Sequence, residues 1–153
     1  FYVLICYAIT PGRVFFDDMP LHLSCEVLSR NMEAGVDTGF VLSAIYPHGR
    51  SFQGYYSFNT EYKNCLTLLG ENMSVTLEPA FTFTNSIISD VNIRVDSRIE
   101  NITFEPADSF VVFLKSVIDS IHAGDWTKWY NIMDQDARVM DIAAVSAGVK
   151  FEY

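Results

Sequence analysis

The chain has 153 residues, of which 50% are hydrophobic and 19% charged, and its formal net charge at pH 7 is −9. This hydrophobic content excludes intrinsic disorder, and the Gly and Pro content excludes collagen-like or linker sequence. The acidic excess argues against a nucleic-acid binder, which would carry a basic stripe. We expect a single β-rich domain over residues 1–153, with a helical segment at about 108–135.

The first apolar run covers residues 1–9 and is closed by Thr10-Pro11-Gly12. It is about half of the roughly 20 residues that a membrane helix needs, and no basic segment precedes it as in a signal peptide. We therefore expect no membrane span and interpret the run as a strand buried on both faces. A first residue Phe1 fits either a processed or a truncated chain.

Alternation of apolar and polar residues predicts most strands in the first hundred residues. It runs through residues 21–27, 72–78, 81–84 and 90–96, as expected for antiparallel sheets with one apolar face. Further strands are expected from the aromatic and aliphatic runs at 38–46, 51–58 and 65–69. A one-residue shift of the pattern near Glu100-Asn101 predicts a bulge or tight bend. The expected core positions are Leu23, Cys25, Val75, Phe83, Ile93 and Val95.

From Asp108 the apolar spacing becomes helical, with a stripe formed by Phe110, Phe113, Leu114, Val117, Ile118 and Ile121. Asp108 is the expected N-cap, and Gly124 the expected C-terminal stop. Asp125 is expected to cap a second, shorter helix, which is followed by short β-like runs at 137–142 and 149–153. The pattern predicts an antiparallel sandwich or barrel with a C-terminal helical segment, and an α+β fold is the alternative.

Four polar features of the sequence are candidate sites. Asp17-Asp18 with His22 has two carboxylates beside an imidazole, but Met19-Pro20 indicates a solvated turn entering a strand. His122 at a helix end is explained by the helix dipole, and His48 lies in a turn. Asp134-x-Asp136 with Asp141 resembles a calcium loop, but Val139 and Val145 occupy the positions of its glycine and its closing glutamate.

The sequence has no nucleophile elbow, phosphate loop or zinc-protease motif. We therefore expect no catalytic residue, no cofactor and no metal site. The three cysteines, Cys6, Cys25 and Cys65, are best interpreted as small buried hydrophobic residues, with a Cys25–Cys65 disulfide as the alternative. Asn72 and Asn101 each begin a glycosylation acceptor pattern that also arises by chance.

Three aromatic residues, Trp126, Trp129 and Tyr130, fall on one face of the second helix. They either pack against the sheet or anchor a partner, because Trp and Tyr are enriched at interface hot spots. We list them as possible interface residues.

One stretch resembles a known family. Residues 113–141, with Ala123-Gly124-Asp125-Trp126 and then Asp136-Ala137-Arg138-Val139, are similar to the opening helices and first strand of NTF2-like domains. The resemblance implies an α+β cone with a ligand pocket or isomerase activity. It covers less than a fifth of the chain, and that family places its long sheet after this segment, whereas few residues follow here.

The functional expectation rests on composition. Aromatic residues make up 14% of the chain, and aromatic enrichment with few lysines is typical of interfaces. We therefore expect a non-enzymatic structural subunit of a large assembly, most simply a viral or phage virion component such as a tail, baseplate, neck or capsid-associated protein. Its partners would be copies of itself or other subunits, not nucleic acid. The alternatives are a secreted ligand-binding β-barrel glycoprotein and a small NTF2-like enzyme.

Overall fold

A computed structural model describes residues 2–81 and 88–149. The chain divides into two compact units, residues 1–60 with 126–153 (unit 1) and residues 61–125 (unit 2), and each is described by itself. Both units contain an antiparallel sheet, so the predicted β-rich fold with a C-terminal helical segment is confirmed. That the whole chain is one domain stays a prediction.

Unit 1 is a three-stranded antiparallel sheet with two helices packed against it. The strands are β1 (His22–Asn31), β2 (Val36–Ile45) and β3 (Ser51–Ser57), in the order β1-β2-β3, and a 3-10 turn at Pro47–Gly49 joins the last two. Helices α1 (Tyr2–Phe16) and α3 (Thr127–Ser146) contact each other and the sheet. The core between them consists of Ile5, Ala8, Ile9, Leu23, Cys25, Phe40, Leu42, Ala44, Tyr46, Val139 and Ala143.

The interpretation of residues 1–9 as a strand is wrong, because residues 2–9 belong to α1; Phe1 lies outside the described residues. The buried residues Ile5, Ala8 and Ile9 have helical spacing, but apolar neighbours on every side hid that period in the sequence. The helix also continues through Pro11, which the sequence suggested as a break. Thr10 Oγ1 donates to the Cys6 carbonyl at 2.7 Å just before it.

The predicted strand at residues 137–142 is also wrong, because the segment lies inside α3. Val139 and Ala143, four residues apart, are both buried, as on one helix face. The helix begins after Trp126, which takes the N-cap position predicted for Asp125. Of the last predicted strand, Val149 lies outside any strand, and residues 150–153 fall outside the described residues.

Unit 2 contains a four-stranded antiparallel sheet, β4 (Leu66–Leu69), β5 (Met73–Leu77), β6 (Ser89–Val95) and β7 (Arg98–Phe104), paired in chain order. One face is polar and carries side-chain hydrogen bonds across neighbouring strands, such as Asn92 Nδ2 to Asn101 Oδ1 at 2.8 Å. The other face is apolar, with Leu77, Val91 and Ile102 in one row. Alternation therefore predicted β5 and β6 correctly and the aliphatic run predicted β4, whereas β7 was not predicted. Most of the run at 81–84 lies outside the described residues.

The shift of pattern near Glu100-Asn101 has a different cause from the predicted bulge. Val95 pairs with Arg98 across a two-residue turn in which Asp96 has a φ of 51°, and the register then runs unbroken to Ser89 and Phe104. The turn itself moves the apolar face from odd to even numbers. A register irregularity occurs instead in β1, around Ser29.

Helix α2 (Ser109–Ala123) has the ends that the sequence predicted. The Asp108 carboxylate accepts from the backbone N–H groups of Phe110 and Val111, and Gly124 ends the helix in the left-handed conformation with a φ of 65°. Such caps satisfy backbone groups that a helix leaves without partners. The boundaries of α2 are therefore set by local sequence.

The core predictions are confirmed only in unit 1. Leu23 and Cys25 are buried, whereas Val75 and Ile93 are half-buried and Val95 is exposed. Phe83 lies outside the described residues. Strand alternation identified the apolar face in both units, but burial also depends on what packs against that face.

Candidate functional site

The open face of the unit 1 sheet, opposite the helices, holds a concavity of about 420 Å³. It is lined by Ser24, Glu26, Val41, Leu42, Ser43, Gln53, Gly54 and Tyr55. The volume lies within the range of small-molecule sites in proteins. This concavity is the candidate site.

Strand register brings the polar lining residues together. Ser24 pairs with Ser43, and Ser43 pairs with Gln53, which makes one row across the three strands. Glu26 and Tyr55 flank Val41 in the next row on the same face. Since neighbouring strands lie about 4.8 Å apart, each row is about 10 Å wide, which is comparable with a monosaccharide ring and its substituents.

Close packing on the helix side of the sheet requires glycine at position 54, whose backbone lines the concavity. A Cβ atom at this position would lie 2.5 Å from Tyr56 ring atoms, so only glycine fits beside that ring. Tyr56 in turn stacks on buried Phe40 with ring centroids 5.1 Å apart. Burial raises the pKa of the Tyr56 phenol, which keeps it neutral inside unit 1.

The chemistry of the lining favours a neutral, hydroxyl-rich ligand. Hydroxyl and amide groups both donate and accept hydrogen bonds, and the Glu26 carboxylate accepts them. The half-exposed Tyr55 ring offers an apolar surface to the C–H groups of such a ligand. No lining residue is cationic, so the concavity lacks the usual partner of a phosphate group. Sequence reasoning missed this site because its polar residues are scattered over three strands and converge only through their register.

The Asp17-Asp18 cluster has a structural arrangement different from the one considered in the sequence. Arg50 Nη2 donates to Asp18 Oδ2 at 2.5 Å, and Arg50 also donates to the carbonyl oxygens of Phe16 and Pro47. The guanidinium lies 5.2 Å from the Phe16 ring centroid. Asp18 therefore pairs with Arg50 and joins the end of α1 to the turn before β3, while His22 starts β1 on the open face.

Two of the three acids that resemble a calcium loop in the sequence, Asp134 and Asp136, form ion pairs. Asp136 Oδ1 accepts from Arg13 Nε at 2.8 Å, and Asp134 pairs with Arg138 at 3.0 Å. His122 is exposed in the last turn of α2, and His48 lies in the 3-10 turn with a φ of 63°. Within residues 2–81 and 88–149, no three His, Cys, Asp or Glu side chains are grouped as metal ligands.

The thiol groups of Cys25 and Cys65 are both free, so the alternative disulfide between them is absent. Burial is the main factor that raises the pKa of Cys25 to about 11, with Asp37 and Glu26 adding to the effect. Cys25 is therefore an inert core residue at neutral pH. Asn101 is engaged by Asn92 on the polar face of the unit 2 sheet.

The possible interface residues differ in exposure. Trp126 and Tyr130 are exposed, whereas Trp129 is half-buried with the Lys128 ammonium 5.3 Å from its ring. Their role as an interface stays a prediction. Among the described residues, no helix is long and apolar enough to cross a membrane.

No protein-family model and no curated protein matches this chain. Two solved oxidoreductases share its fold. KijD10, a 3-ketoreductase from Actinomadura kijaniata solved with TDP-benzene and NADP, is 15% identical with a TM-score of 0.77, and the match covers 92% of this chain and 45% of that one. An aldose-aldose oxidoreductase from Caulobacter crescentus, solved with glycerol, is 14% identical with a TM-score of 0.71, and the match covers 92% and 43%.

The residues that the structure describes do not form a site that fits NADP. The sequence contains no Gly-rich phosphate-binding turn, and every strand pair among the described residues is antiparallel, so the usual βαβ unit is absent from that part. The N-terminus of α2 is already occupied by the Asp108 carboxylate, which would repel a phosphate. The shared fold corresponds to less than half of each oxidoreductase chain.

The comparisons correct the expected function. Structures that share this fold over nearly the whole chain are oxidoreductases, so the interpretation as a non-enzymatic structural subunit of a virion is wrong, and so is the expectation that the chain has no enzymatic role. The two alternatives, a secreted ligand-binding barrel and an NTF2-like enzyme, do not correspond to these oxidoreductase structures either. Composition gave the wrong function because a surface rich in aromatic residues and poor in lysine is compatible with any large protein contact, not only with contacts in a virion. At such low identity, these similarities establish the fold of the chain alone.

Proposed function

We propose that the chain is the substrate-binding part of an oxidoreductase that acts on a sugar or a related polyol, with the nucleotide held by polypeptide outside this sequence. The observation that carries the proposal is the fold shared with KijD10 and the aldose-aldose oxidoreductase over 92% of the chain. One of those proteins is named for aldoses, the other is named as a 3-ketoreductase, and the chain spans under half of either.

The concavity supports the choice of a neutral polyol. Its rows of Ser24, Ser43 and Gln53 supply neutral hydrogen-bonding groups, and Glu26 accepts hydrogen bonds from hydroxyl groups. These side chains bind and orient the ligand. The chain has a net charge of −9, which disfavours phosphorylated ligands over neutral ones.

Ligand binding by the chain itself is the first test. We expect saturation-transfer NMR to detect millimolar binding of free aldoses and no binding of NADPH. Tyr55→Ala should weaken aldose binding at least fivefold, because it removes the aromatic surface of the concavity. Tyr130→Ala is the matched control, since this tyrosine is similarly exposed but lies on α3, and it should leave binding unchanged.

The complete enzyme provides the second test. It should oxidise NADPH when a keto sugar or an aldose is added, and Tyr55→Ala should raise the KM for the sugar more than it lowers kcat. NADPH binding by the 153-residue chain with no aldose binding would contradict the proposal. So would a folded complete enzyme that leaves NADPH unchanged with every sugar tested.

A further inference from the structure

Helix α2 presents an apolar stripe to solvent. At 100° per residue, five large apolar side chains fall on one side of the helix, and each is between 48% and 78% exposed: Phe110, Val111, Leu114, Ile118 and Ile121. The side of α2 that is partly covered carries Ser116, Val117 and Ser120 instead. The most apolar side of α2 is therefore the side that lies in water.

This stripe is comparable in area with the largest apolar patch of a typical folded protein. Each such side chain has an area on the order of 150–200 Å², so at half exposure the five present on the order of 400 Å² of apolar surface. The largest apolar patch on a typical monomer is about 300–600 Å² and is often functional. All buried apolar residues of the described chain belong to unit 1. The described apolar side chains of unit 2 are therefore all at least partly exposed, and a partner could cover them.

Charge argues against a second copy as that partner. Unit 2 carries ten Asp and Glu residues against four Lys and Arg residues, a net charge of −6. Two copies facing each other through α2 would bring like charges together around the apolar centre. A neutral or basic surface is favoured instead.

A candidate for this neutral or basic partner is the part of the oxidoreductase chain that has no counterpart in this sequence. The match covers 45% of KijD10, which was solved with NADP, and the described residues of this chain do not form a site that fits NADP. Charge complementarity with acidic unit 2 favours a neutral or basic contacting surface on that part of the enzyme. We propose that the stripe on α2 is the docking surface for the nucleotide-binding part of the same enzyme, which covers it with an apolar patch and a neutral to basic rim. The inference rests on the proposed function.

Two lysine substitutions on α2 test this inference. Leu114 lies in the stripe, and Val112 lies on the opposite side of the same helix with similar exposure. In the complete enzyme, Leu114→Lys should lower the midpoint of thermal unfolding by several degrees and speed hydrogen exchange across α2 at least tenfold, whereas Val112→Lys should match wild type. In the 153-residue chain alone, both variants should melt like wild type, because both side chains face water there.

The outcomes separate the inference from the proposed function. A wild-type enzyme without sugar-dependent NADPH oxidation removes the proposed function, while the melting and exchange comparison still decides the docking surface. Equal effects of Leu114→Lys and Val112→Lys in the complete enzyme would overturn the inference. A dimer of the chain alone that light scattering shows to dissociate on Leu114→Lys would assign the stripe to a second copy and overturn it as well.

Discussion

Replacing Gly12 with alanine tests how tightly α1 packs against the unit 1 sheet. Gly12 lies inside α1, where alanine normally adds about 1 kcal/mol of helix stability. In this structure, however, a Cβ atom on residue 12 would lie 2.0 Å from Tyr46 Oη and 2.8 Å from its Cζ. The Tyr46 ring is buried and sits edge-on to Phe16 at 4.7 Å, so it cannot move aside freely.

The packing cost exceeds the gain in helix propensity. Overpacking a core costs about 1–3 kcal/mol, and an overlap of more than 1 Å with an oxygen belongs at the upper end of that range. We therefore expect Gly12→Ala to lower the free energy of unfolding by about 2 kcal/mol, or about 4–8 °C in Tm at this chain length. Tryptophan fluorescence is a suitable assay, because both tryptophans belong to unit 1.

Two variants serve as controls for this prediction. Gly70→Ala meets only Met73 O at 3.5 Å, an ordinary contact, so its effect should stay within about 0.5 kcal/mol. Tyr46→Phe removes the atom closest to the new Cβ and should restore part of the stability lost in Gly12→Ala. If Gly12→Ala is as stable as wild type or more stable, α1 does not lie against Tyr46 as described.

Three further predictions concern unit 1. Asp136→Asn should lower the free energy of unfolding by about 1–2 kcal/mol, because the charged hydrogen bond between Asp136 and Arg13 is about three-quarters buried. Asp134→Asn, in an exposed ion pair, should lower it by under about 0.5 kcal/mol. Urea unfolding compares the two variants, and equal losses of stability would contradict the burial of the Arg13–Asp136 pair. Burial raises the pKa of the Cys25 thiol from 9.0 to about 11 in the folded protein, so the stability linked to this shift is complete below pH 9 and is lost as the pH rises towards 11. Cys25→Ala should therefore reduce the fall in unfolding free energy between pH 9 and pH 11. An unchanged slope in this pH range would contradict the raised pKa. Arg50→Lys should lower Tm by several degrees, since one ammonium cannot replace a planar guanidinium with three acceptors, and a wild-type Tm would show that these contacts contribute little.

Local signals predicted the elements whose ends are set by nearby residues. Asp108 and Gly124 mark α2 because a side-chain cap and a left-handed glycine are readable without knowledge of the tertiary structure. Alternation predicted β5 and β6 for the same reason. Helix α1 was missed because its apolar residues surround the helix, and the burial of Ile5 and Ala8 is decided by the sheet and α3.

The candidate site could not be predicted in the same way. Ser24, Ser43 and Gln53 are ordinary polar residues of amphipathic strands, and no motif marks them. Their convergence depends on the β1-β2 and β2-β3 registers, which turns and core packing fix together. The expectation of a structural subunit was wrong because composition carries no sign of the fold that this chain shares with oxidoreductases.

The contacts of Arg50 also decide where the chain tolerates added residues. Its guanidinium holds Phe16, Asp18 and Pro47 at fixed distances, so an insertion in the short connection between α1 and β1 would separate groups that one side chain joins. The connection between β1 and β2 is exposed, and the Asn31 side chain accepts from the backbone N–H groups of Glu33 and Ala34 inside it. The Arg30–Asp37 ion pair joins the two strands at its base, outside the connecting residues. A fluorescent label or an affinity tag is therefore best placed after Ala34.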